Sequence, residues 1–386
     1  MNLTHKIALD PTHQQRGYFA RAAGTHRFVW NLALEEWNCQ YASGGKPSGQ
    51  KLKAAFNADK YDRYPWLKDI HRDAHAQPFA DLQAAFGNFF AGRADKPAFK
   101  RKGEHDAFYV ANDKLSLSST HVRLPKVGKV RIREPLRFAG KIASTRVVRE
   151  ADRWFLCVSV DLGEYHKERT GNGVVGVDLG LTIMATLSTG EKVQNPRPLQ
   201  KAQERLARAQ RKVSRRVKGS LNRHKQKKRV ARIHQCVKNI RHDGLHKLTT
   251  RCCHENQVVA IEDLNVSGMV QNHRLARSIS DVGFREFRIM LGYKAKIYGT
   301  RLVVADRFFP SSKTCSACGC IKDTLSLAER VFECAACGLR IDRDLNAALN
   351  LEQLGRASAE VTTTDMPGGV NEVVTTPRAN SRRLTK

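Results

Sequence analysis

Acidic residues are scarce in this sequence of 386 residues, which has 37 Asp and Glu against 67 Lys and Arg, a formal net charge of +30. Long hydrophobic runs are also missing, since no stretch of about 18 apolar residues occurs, and this argues against a membrane-spanning helix. The first residues lack the apolar stretch of a secretory signal, so we expect a cytoplasmic protein without a secreted disulfide scaffold. Such an excess of positive charge calls for a polyanionic partner, usually nucleic acid, and a small acidic metabolite would not require it.

The first part of the chain combines a short strand, a helical region and a series of strands. Residues 3–9 have a strand pattern, and the helical region after them carries two apolar faces at helical spacing. These faces consist of Trp30, Leu34, Trp37 and Tyr41, and of Phe79, Leu82, Phe86 and Phe89. We expect them to pack in a helical bundle, with base stacking by a few of them as the alternative. From about residue 107, short alternating β-branched segments predict a small barrel or sandwich that residues 3–9 could complete.

The second part of the chain predicts further strands and helices. Strands are expected at 173–179, 181–187, 190–194, 258–265 and 301–306, and helices at roughly 281–298 and just after residue 342. Residues 197–251 are helical and very basic, with 19 Lys and Arg against Glu204 and Asp243, and they break at Gly219-Ser220. Residues 356–386 have few large apolar side chains, so we expect a disordered tail.

Four of the ten cysteines have a metal-binding spacing. Cys315-x2-Cys318 and Cys334-x2-Cys337 each form a knuckle that presents two thiolates, and two knuckles close a tetrahedron around zinc. A glycine follows the second cysteine of each pair, where the backbone of a knuckle must be unhindered. Because four thiolates leave no position open for water, we expect this Zn²⁺ to be structural. Cys320 is expected to be a spectator.

Three acids stand at the ends of predicted elements. Asp178 ends an apolar strand, Glu262 ends another, and Asp344 begins the last helix. Carboxylates gathered at the rim of a buried sheet repel one another unless a cation neutralises them, and Mg²⁺ (or Mn²⁺) prefers such oxygen ligands. Two ions about 4 Å apart can activate water and stabilise the leaving oxygen in phosphodiester cleavage. A helix cap or a surface acid is the alternative for each residue alone, and Asp263 and Asp342 are neighbouring acids that could replace two of them.

The basic helical stretch predicts contact with nucleic acid. Like charges at i, i+4 destabilise an isolated helix, and phosphates would relieve this repulsion while releasing counterions. The alternative, a solvated helix face, is disfavoured because balancing acids are few. The residues expected to bind nucleic acid are Arg211, Lys212, Arg215, Arg216, Lys227, Lys228 and Arg229.

At these residues the chain resembles the TnpB (OrfB) family of transposon-encoded RNA-guided nucleases, relatives of the type V CRISPR effectors. The segments that carry the resemblance are GVDLGLTIMATLSTG, IEDLNVSGM, RSISDVGFREFRIMLGYKAKIYG, FPSSKTCSACG, FECAACG and DRDLNAALNL. They cover about residues 170–353 in order. FVWNLALEEWN and PAFKRK in the first half are similar to the family's segments more loosely. On this resemblance, the metal-binding acids of the family correspond to Asp178, Glu262 and Asp344.

The resemblance implies an α+β multidomain fold. A wedge β-barrel at 1–10 and 106–168 is interrupted by a helical recognition region at 11–105. A RuvC-like nuclease domain of ribonuclease-H fold follows at 169–307 and 341–355, with a zinc-ribbon insert at 308–340 and the tail at 356–386.

The resemblance also implies an RNA-guided DNA endonuclease. Its partners would be a guide RNA from the end of the transposable element and a double-stranded target DNA, and the active form would be a monomeric ribonucleoprotein. A DNA strand-transfer transposase with the same acids is one alternative, because water and a 3′-hydroxyl are both nucleophiles. A repressor that binds DNA under RNA guidance without cutting is another, although such a protein would usually have lost an acid.

Overall fold

The computed structural model describes residues 1–326, 328–360 and 372–375, the last four and residues 359–360 by their backbone alone. The chain divides into two compact units, Met1–Glu164 and the part from Tyr165 onward. In the described part of the chain, no helix is both long enough and apolar enough to cross a membrane.

The first unit is a sheet with helices inserted after its first strand. Its elements are β1 (Asn2–Asp10), α1 (His13–Ala42), α2 (Gly49–Arg63), α3 (Arg72–Phe90), β2 (Ala107–Val110), β3 (Ser116–Leu117), β4 (His121–Leu124), β5 (Gly128–Ile132), β6 (Lys141–Glu150) and β7 (Arg153–Asp161). The strand order is β2-β6-β7-β1-β5-β4-β3, and all of these pairs are antiparallel. Strand β1 therefore joins the sheet as expected, and the helical region is inserted between strands. The pairings leave β2 and β3 at the edges, so closure into a barrel stays a prediction.

The two aromatic helix faces pack against each other inside the first unit. Trp37 of α1 stacks on Phe86 of α3 with ring centroids 4.3 Å apart. The apolar cluster around this pair confirms the predicted helical packing. Tyr41 is the exception, because it lies in the last turn of α1 and is 62% exposed.

The second unit is a mixed sheet between helices. Its elements are β8 (Gly173–Leu179), β9 (Ile183–Leu187), β10 (Lys192–Gln194), α4 (Pro198–Ser214), α5 (Leu221–Glu255), β11 (Asn256–Glu262), α6 (Val266–Gln271), α7 (Ala276–Val282), α8 (Phe284–Tyr298), β12 (Arg301–Ala305), β13 (Val331–Glu333), β14 (Arg340–Asp342), α9 (Arg343–Glu360) and β15 (Glu372–Thr375). The strand order is β10-β9-β8-β11-β12-β15, and the pairs among β8, β11, β12 and β15 are parallel. Helices α5, α7 and α8 cover one face and α9 the other, which explains the nearly continuous apolar strands.

Two predicted boundaries are corrected by the structure. The helix expected at roughly 281–298 is α8, which begins three residues later because Gly283 separates it from α7. Part of the segment expected to be a disordered tail from residue 356 is regular structure, because α9 continues through Glu360 and residues 372–375 form β15. The packing of Leu354 and Gly355 against the sheet extends the helix, and β-branched residues favour the added strand. Residues 361–371 and 376–386 lie outside the described residues.

Helix α9 crosses β8 at a glycine. A Cβ atom placed on Gly176 would lie 1.9 Å from the carbonyl oxygen of Ala348 and 2.5 Å from the amide nitrogen of Glu352. Both contacts are with backbone, which cannot rotate away as a side chain could. Only glycine therefore allows this close crossing, which fixes where the first turn of α9 lies relative to the end of β8.

We predict that Gly176→Ala destabilises the protein by about 1–3 kcal/mol, because α9 must move away from β8. The matched control is Gly244→Ala in α5, where a Cβ atom would meet nothing within 4 Å. This control should be neutral or stabilising by up to about 1 kcal/mol. Urea unfolding followed by circular dichroism measures both variants, and equal stability of the two would contradict the proposed crossing.

Candidate active site

The structure brings the three predicted acids together at one edge of the mixed sheet. Asp178 lies near the end of β8, and Glu262 is the last residue of β11. These strands are parallel neighbours, so their carboxyl ends meet at the same edge. Asp344 lies in the first turn of α9, which reaches this edge from the crossing at Gly176. The three side chains are close enough to interact, because the negative charges of Glu262 and Asp344 both raise the pKa of Asp178.

Burial and mutual repulsion both favour the protonated forms of Asp178 and Glu262. The pKa of Asp178 is raised well above its ordinary value, first by burial and then by the charges of Glu262 and Asp344. The pKa of Glu262 is raised mainly by burial, with a further contribution from Asp344. Among the described residues, the only group of metal-ligand side chains whose donor atoms all lie within 4.8 Å of one another is made of cysteines. The three carboxylates are therefore spaced more widely than that, as repelling charges are expected to be.

The two neighbouring acids have other partners. Asp342 accepts hydrogen bonds from the amides of Asp344 and Leu345, both at 3.1 Å, and so caps the N-terminus of α9. Lys192 Nζ lies 2.7 Å from Asp342 Oδ2. Burial raises the pKa of Asp342, but the hydrogen bond and charge of Lys192 lower it below its ordinary value. Asp263 pairs with Arg288 and, at 3.0 Å, with Arg307. Asp342 and Asp263 thus each pair with basic side chains from other elements, although the charge of Asp342 also contributes to the raised pKa of Asp178.

A loop that hydrogen bonds hold to α9 positions the side chain of Glu262. The hydroxyl group of Ser311 donates a hydrogen bond to Glu262 Oε1. The buried side chain of Asn350 donates to the carbonyl oxygens of Ser311 at 2.7 Å and of Thr314 at 2.6 Å, and Asn346 donates to Thr314 at 2.7 Å. The motifs in the sequence did not point to these three polar residues. The available signal was two asparagines four residues apart, a spacing that places them on the same face of α9.

Arg343 is a further basic residue that the sequence analysis missed. Its guanidinium group lies 3.4 Å from Asp344 Oδ1, and its charge lowers the pKa of Asp178 against the effects that raise it. The side chain is only 15% exposed. Arg343 therefore supplies part of the positive charge that the three acids require.

The four predicted cysteines form a single cluster with the geometry of a zinc site. The Sγ atoms of Cys315 and Cys337 are 3.6 Å apart, and those of Cys318 and Cys334 are 3.5 Å apart. Four Zn–S bonds of about 2.3 Å in a tetrahedron place sulfur atoms about 3.8 Å apart. Gly319 and Gly338, with φ values of 75° and 74°, turn the backbone after each pair. The side chain of Cys320 lies outside this group, and its carbonyl oxygen accepts a hydrogen bond from the Cys315 amide.

The predicted nucleic-acid residues lie on a helical hairpin. Helices α4 and α5 pack through a small apolar cluster that includes Ala202, Ala209, Ile233 and Val237. All seven predicted basic residues are exposed. Arg211 and Lys212 end α4, Arg215 and Arg216 lie in the turn, and the other three lie in α5. The hairpin therefore has an apolar inner side and a strongly positive exposed surface.

The chain matches three family models. Residues 155–273 match the OrfB model of the IS605 type, described as "Probable transposase". Residues 284–351 match "Cas12f1-like, TNB domain", and residues 1–46 match "Helix-turn-helix domain".

Relatives match nearly the whole chain. A protein of Streptomyces pristinaespiralis is 39% identical over 365 residues, covering 92% of this chain and 89% of its own length. InsQ of Escherichia coli K12 is 33% identical over 370 residues, covering 91% and 92%. The names of both contain "Putative RNA-guided DNA endonuclease". A solved mini-RNA-guided endonuclease, CRISPR-Cas phi3, is 8% identical with a TM-score of 0.47, covering 96% of this chain and 94% of its own.

We predict that Asp178→Asn raises the melting temperature in buffer without added divalent cations, by about 2 °C or more at pH 7. An acid whose pKa is higher in the folded state stabilises the fold below its unfolded pKa, and this stability is lost as pH rises toward the raised value. The difference in melting temperature between Asp178→Asn and the wild-type protein should therefore grow as pH increases above about 4. Differential scanning fluorimetry measures it.

Added Mg²⁺ should stabilise the wild-type protein and have less effect on Asp178→Asn, because the cation replaces the missing positive charge. The difference in melting temperature should then shrink or reverse. Identical melting temperatures of the two proteins at every pH, with and without Mg²⁺, would show that the three acids do not repel one another in the folded protein.

We predict that the purified protein contains one zinc ion per chain and that Cys334→Ser loses it, because three thiolates hold the ion poorly. Cys320→Ser is the matched control, since this cysteine is close in sequence and outside the cluster. Elemental analysis of the dialysed proteins measures zinc directly. Retention of zinc by Cys334→Ser, or its loss from Cys320→Ser, would contradict the assignment.

Proposed function

The chain belongs to the TnpB (OrfB) family of transposon-encoded proteins, and from this premise we propose that it is an RNA-guided DNA endonuclease. A guide RNA from the end of the element pairs with one strand of double-stranded DNA, and base pairing supplies most of the sequence specificity. The protein recognises a short flanking motif and cuts the DNA. The observation that carries this proposal is the meeting of Asp178, Glu262 and Asp344 at one buried sheet edge.

The two units supply different parts of this activity. We assign a wedge β-barrel to residues 1–10 and 106–168, with the helical recognition region at 11–105. The RuvC-like nuclease domain consists of residues 169–307 and 341–355, with the zinc-binding insert at 308–340. The sheet order and the helices on both faces of the second unit support a ribonuclease-H fold. We expect the working form to be a monomeric ribonucleoprotein in the cytoplasm, where the target DNA lies.

The three acids suit Mg²⁺ or Mn²⁺. They offer carboxylate oxygens, they are half-buried, and the raised pKa values of Asp178 and Glu262 mark a place where positive charge is lacking. Bound at these acids, a pair of such ions would activate water for attack on the phosphorus and stabilise the leaving oxygen.

The surrounding residues position these carboxylates. Ser311 holds one oxygen of Glu262, and the Asp342 cap fixes the turn that carries Asp344. Arg343 balances part of their charge. Hydrolysis would leave 5′-phosphate and 3′-hydroxyl ends, as the chemistry of the family implies. The cysteine site, with four sulfur ligands, would hold Zn²⁺ in a structural role.

The exposed basic hairpin is suited to the phosphate backbone. Its seven predicted contacts would hold the nucleic acid by charge and shape, without reading sequence. Binding through such contacts releases counterions, so it weakens steeply as salt concentration rises. Arg211, Lys212, Arg215, Arg216, Lys227, Lys228 and Arg229 remain proposed contacts, shared between RNA and DNA.

Strand transfer is a second candidate function, because the family model matched by residues 155–273 is described as a transposase. The same acids could activate a 3′-hydroxyl in place of water. Labelled transposon ends distinguish the two reactions, since only a transposase produces strand-joined products.

We predict that Asp178→Ala abolishes guided cleavage, by a factor of about 10³ or more, and leaves RNA binding nearly unchanged. The variant keeps the basic hairpin but loses a ligand of the metal. Asp342→Asn is the matched comparison, because asparagine caps a helix about as well as aspartate, and it should retain most of the activity. Cleavage of matched target DNA and filter binding of the co-purified RNA measure both properties. Full cleavage by Asp178→Ala would end the assignment.

A further inference from the structure

The basic helical hairpin extends beyond the core of the second unit. The second half of α5 packs in that core through Leu245 and Leu248, among others. The first half of α5 packs instead on α4, through Ile233 and Val237. All seven predicted basic contacts lie on this extended part of the hairpin. What holds the base of the hairpin therefore decides where these basic side chains are presented.

Asp281, a residue of α7, caps α4 from outside that helix. Helix α4 begins at Pro198, which has no N–H group, and Arg197 before it has a φ value of 46° and makes no side-chain cap. The amides of Leu199 and Gln200 donate instead to the carboxylate of Asp281, at 2.9 Å and 3.1 Å. These amides belong to the first turn, where no partner exists inside the helix. The start of α4 is thus fixed to α7.

The residue before Asp281 is attached to the other helix of the hairpin. Arg241 of α5 donates a hydrogen bond to the carbonyl oxygen of Ser280. Asp281 itself is only 4% exposed, and its neighbours Ile279 and Val282 are buried in the core of the unit. Two consecutive residues of a buried helix therefore brace α4 and α5 together.

A small tilt at this base becomes a large displacement along the hairpin. Arg211 lies 13 residues after Pro198 in the same helix. That separation is about 20 Å at 1.5 Å per residue, so a tilt of about 10° moves Arg211 by about 3 Å. Charge-assisted hydrogen bonds to phosphate are about 2.7–2.9 Å long, so such a displacement breaks them.

We propose that Asp281 and Arg241 are positioning residues for nucleic-acid binding, a role that rests on the proposed function of the hairpin. They hold the direction of the hairpin before the nucleic acid binds. A hairpin that is already fixed does not have to be ordered in the complex, and this increases affinity. Asp281 acts through the basic side chains and touches no phosphate, because it is buried and carries a carboxylate.

A double-mutant cycle tests this role without cleavage. The probe is a fluorescein-labelled RNA–DNA hybrid of about 20 base pairs, bound by the full-length protein and followed by fluorescence anisotropy. Stoichiometric titration gives the concentration of active protein, so a loss of folded molecules does not change Kd. We expect Asp281→Ala to raise Kd about fivefold or more.

The second background carries Lys227→Gln, Lys228→Gln and Arg229→Gln, which remove charges that the brace would position. There, Asp281→Ala should raise Kd by only about twofold, because coupled residues do not act additively. An equal effect of Asp281→Ala in both backgrounds, or no effect in either, would overturn the positioning role.

Two further variants separate positioning from helix capping. Asp281→Asn keeps an acceptor oxygen for the α4 amides and should restore Kd to within about twofold of the wild-type value. Ser220→Ala is the matched control, because Ser220 caps α5 at the far end of the hairpin by accepting from the Arg223 amide at 3.2 Å. It should also leave Kd within about twofold of the wild-type value. An equal loss of affinity in Ser220→Ala and Asp281→Ala would contradict a role for the base.

Arg241 provides the decisive test if Asp281→Ala does not fold. Arg241→Met keeps the aliphatic stem and the Asp281 cap but cannot donate to Ser280, so it should raise Kd about threefold or more. Arg241→Lys can still donate to this carbonyl oxygen and should restore the affinity. An unchanged Kd in Arg241→Met would overturn the brace.

Failure of the positioning role is distinguishable from failure of the proposed function. If the triple glutamine background binds more weakly but Asp281→Ala and Arg241→Met bind like the wild-type protein, the positioning role fails and the hairpin remains the nucleic-acid interface. If the cycle gives the expected coupling but the wild-type ribonucleoprotein does not cut matched DNA, the nuclease function fails and the positioning role stands.

Discussion

The close crossing of α9 over β8 is the constraint on which the candidate active site depends. It exists because Gly176 presents no side chain to the backbone of Ala348. The crossing carries Asp344 to the edge where Asp178 and Glu262 end their parallel strands. Three carboxylates are thus gathered at this edge, where burial first and then their mutual repulsion raise the pKa of Asp178 well above its ordinary value. The fold holds this unfavourable arrangement in place, and positive charge relieves it.

The four-cysteine segment and the acid site are connected by hydrogen bonds. Asn346 and Asn350 of α9 hold the backbone of residues 311–316, and Ser311 in this segment donates to Glu262. Cys315, the first cysteine of the cluster, lies in the same segment. A cluster that fixes this loop therefore also fixes a donor to one of the acids. A metal held by the four sulfur atoms would therefore help to position Ser311 without performing chemistry itself.

The sequence determined the local elements and marked the candidate residues for the chemistry. Three local patterns can be read from the sequence without a structure, because each depends only on neighbours in the chain. They are the apolar strands that end in acids, the CxxC spacing and the run of basic residues. The predicted strands at 173–194 and 258–265, the basic helical pair and the four-cysteine cluster were found in the structure. The family was recognised from motifs in order, and relatives that match nearly the whole chain confirm it.

The tertiary structure alone decided which acids share a site. Asp178 is 84 residues from Glu262, which is 82 residues from Asp344, and no local pattern reports a contact over such separations. The structure also gave Asp342 and Asp263 basic partners, Lys192, Arg288 and Arg307, that come from distant elements. The break at Gly283, the extension of α9 and the exposure of Tyr41 depend likewise on packing between elements. Long-range backbone contacts and charge pairing determine these features, and neither can be read from the spacing of residues in the sequence.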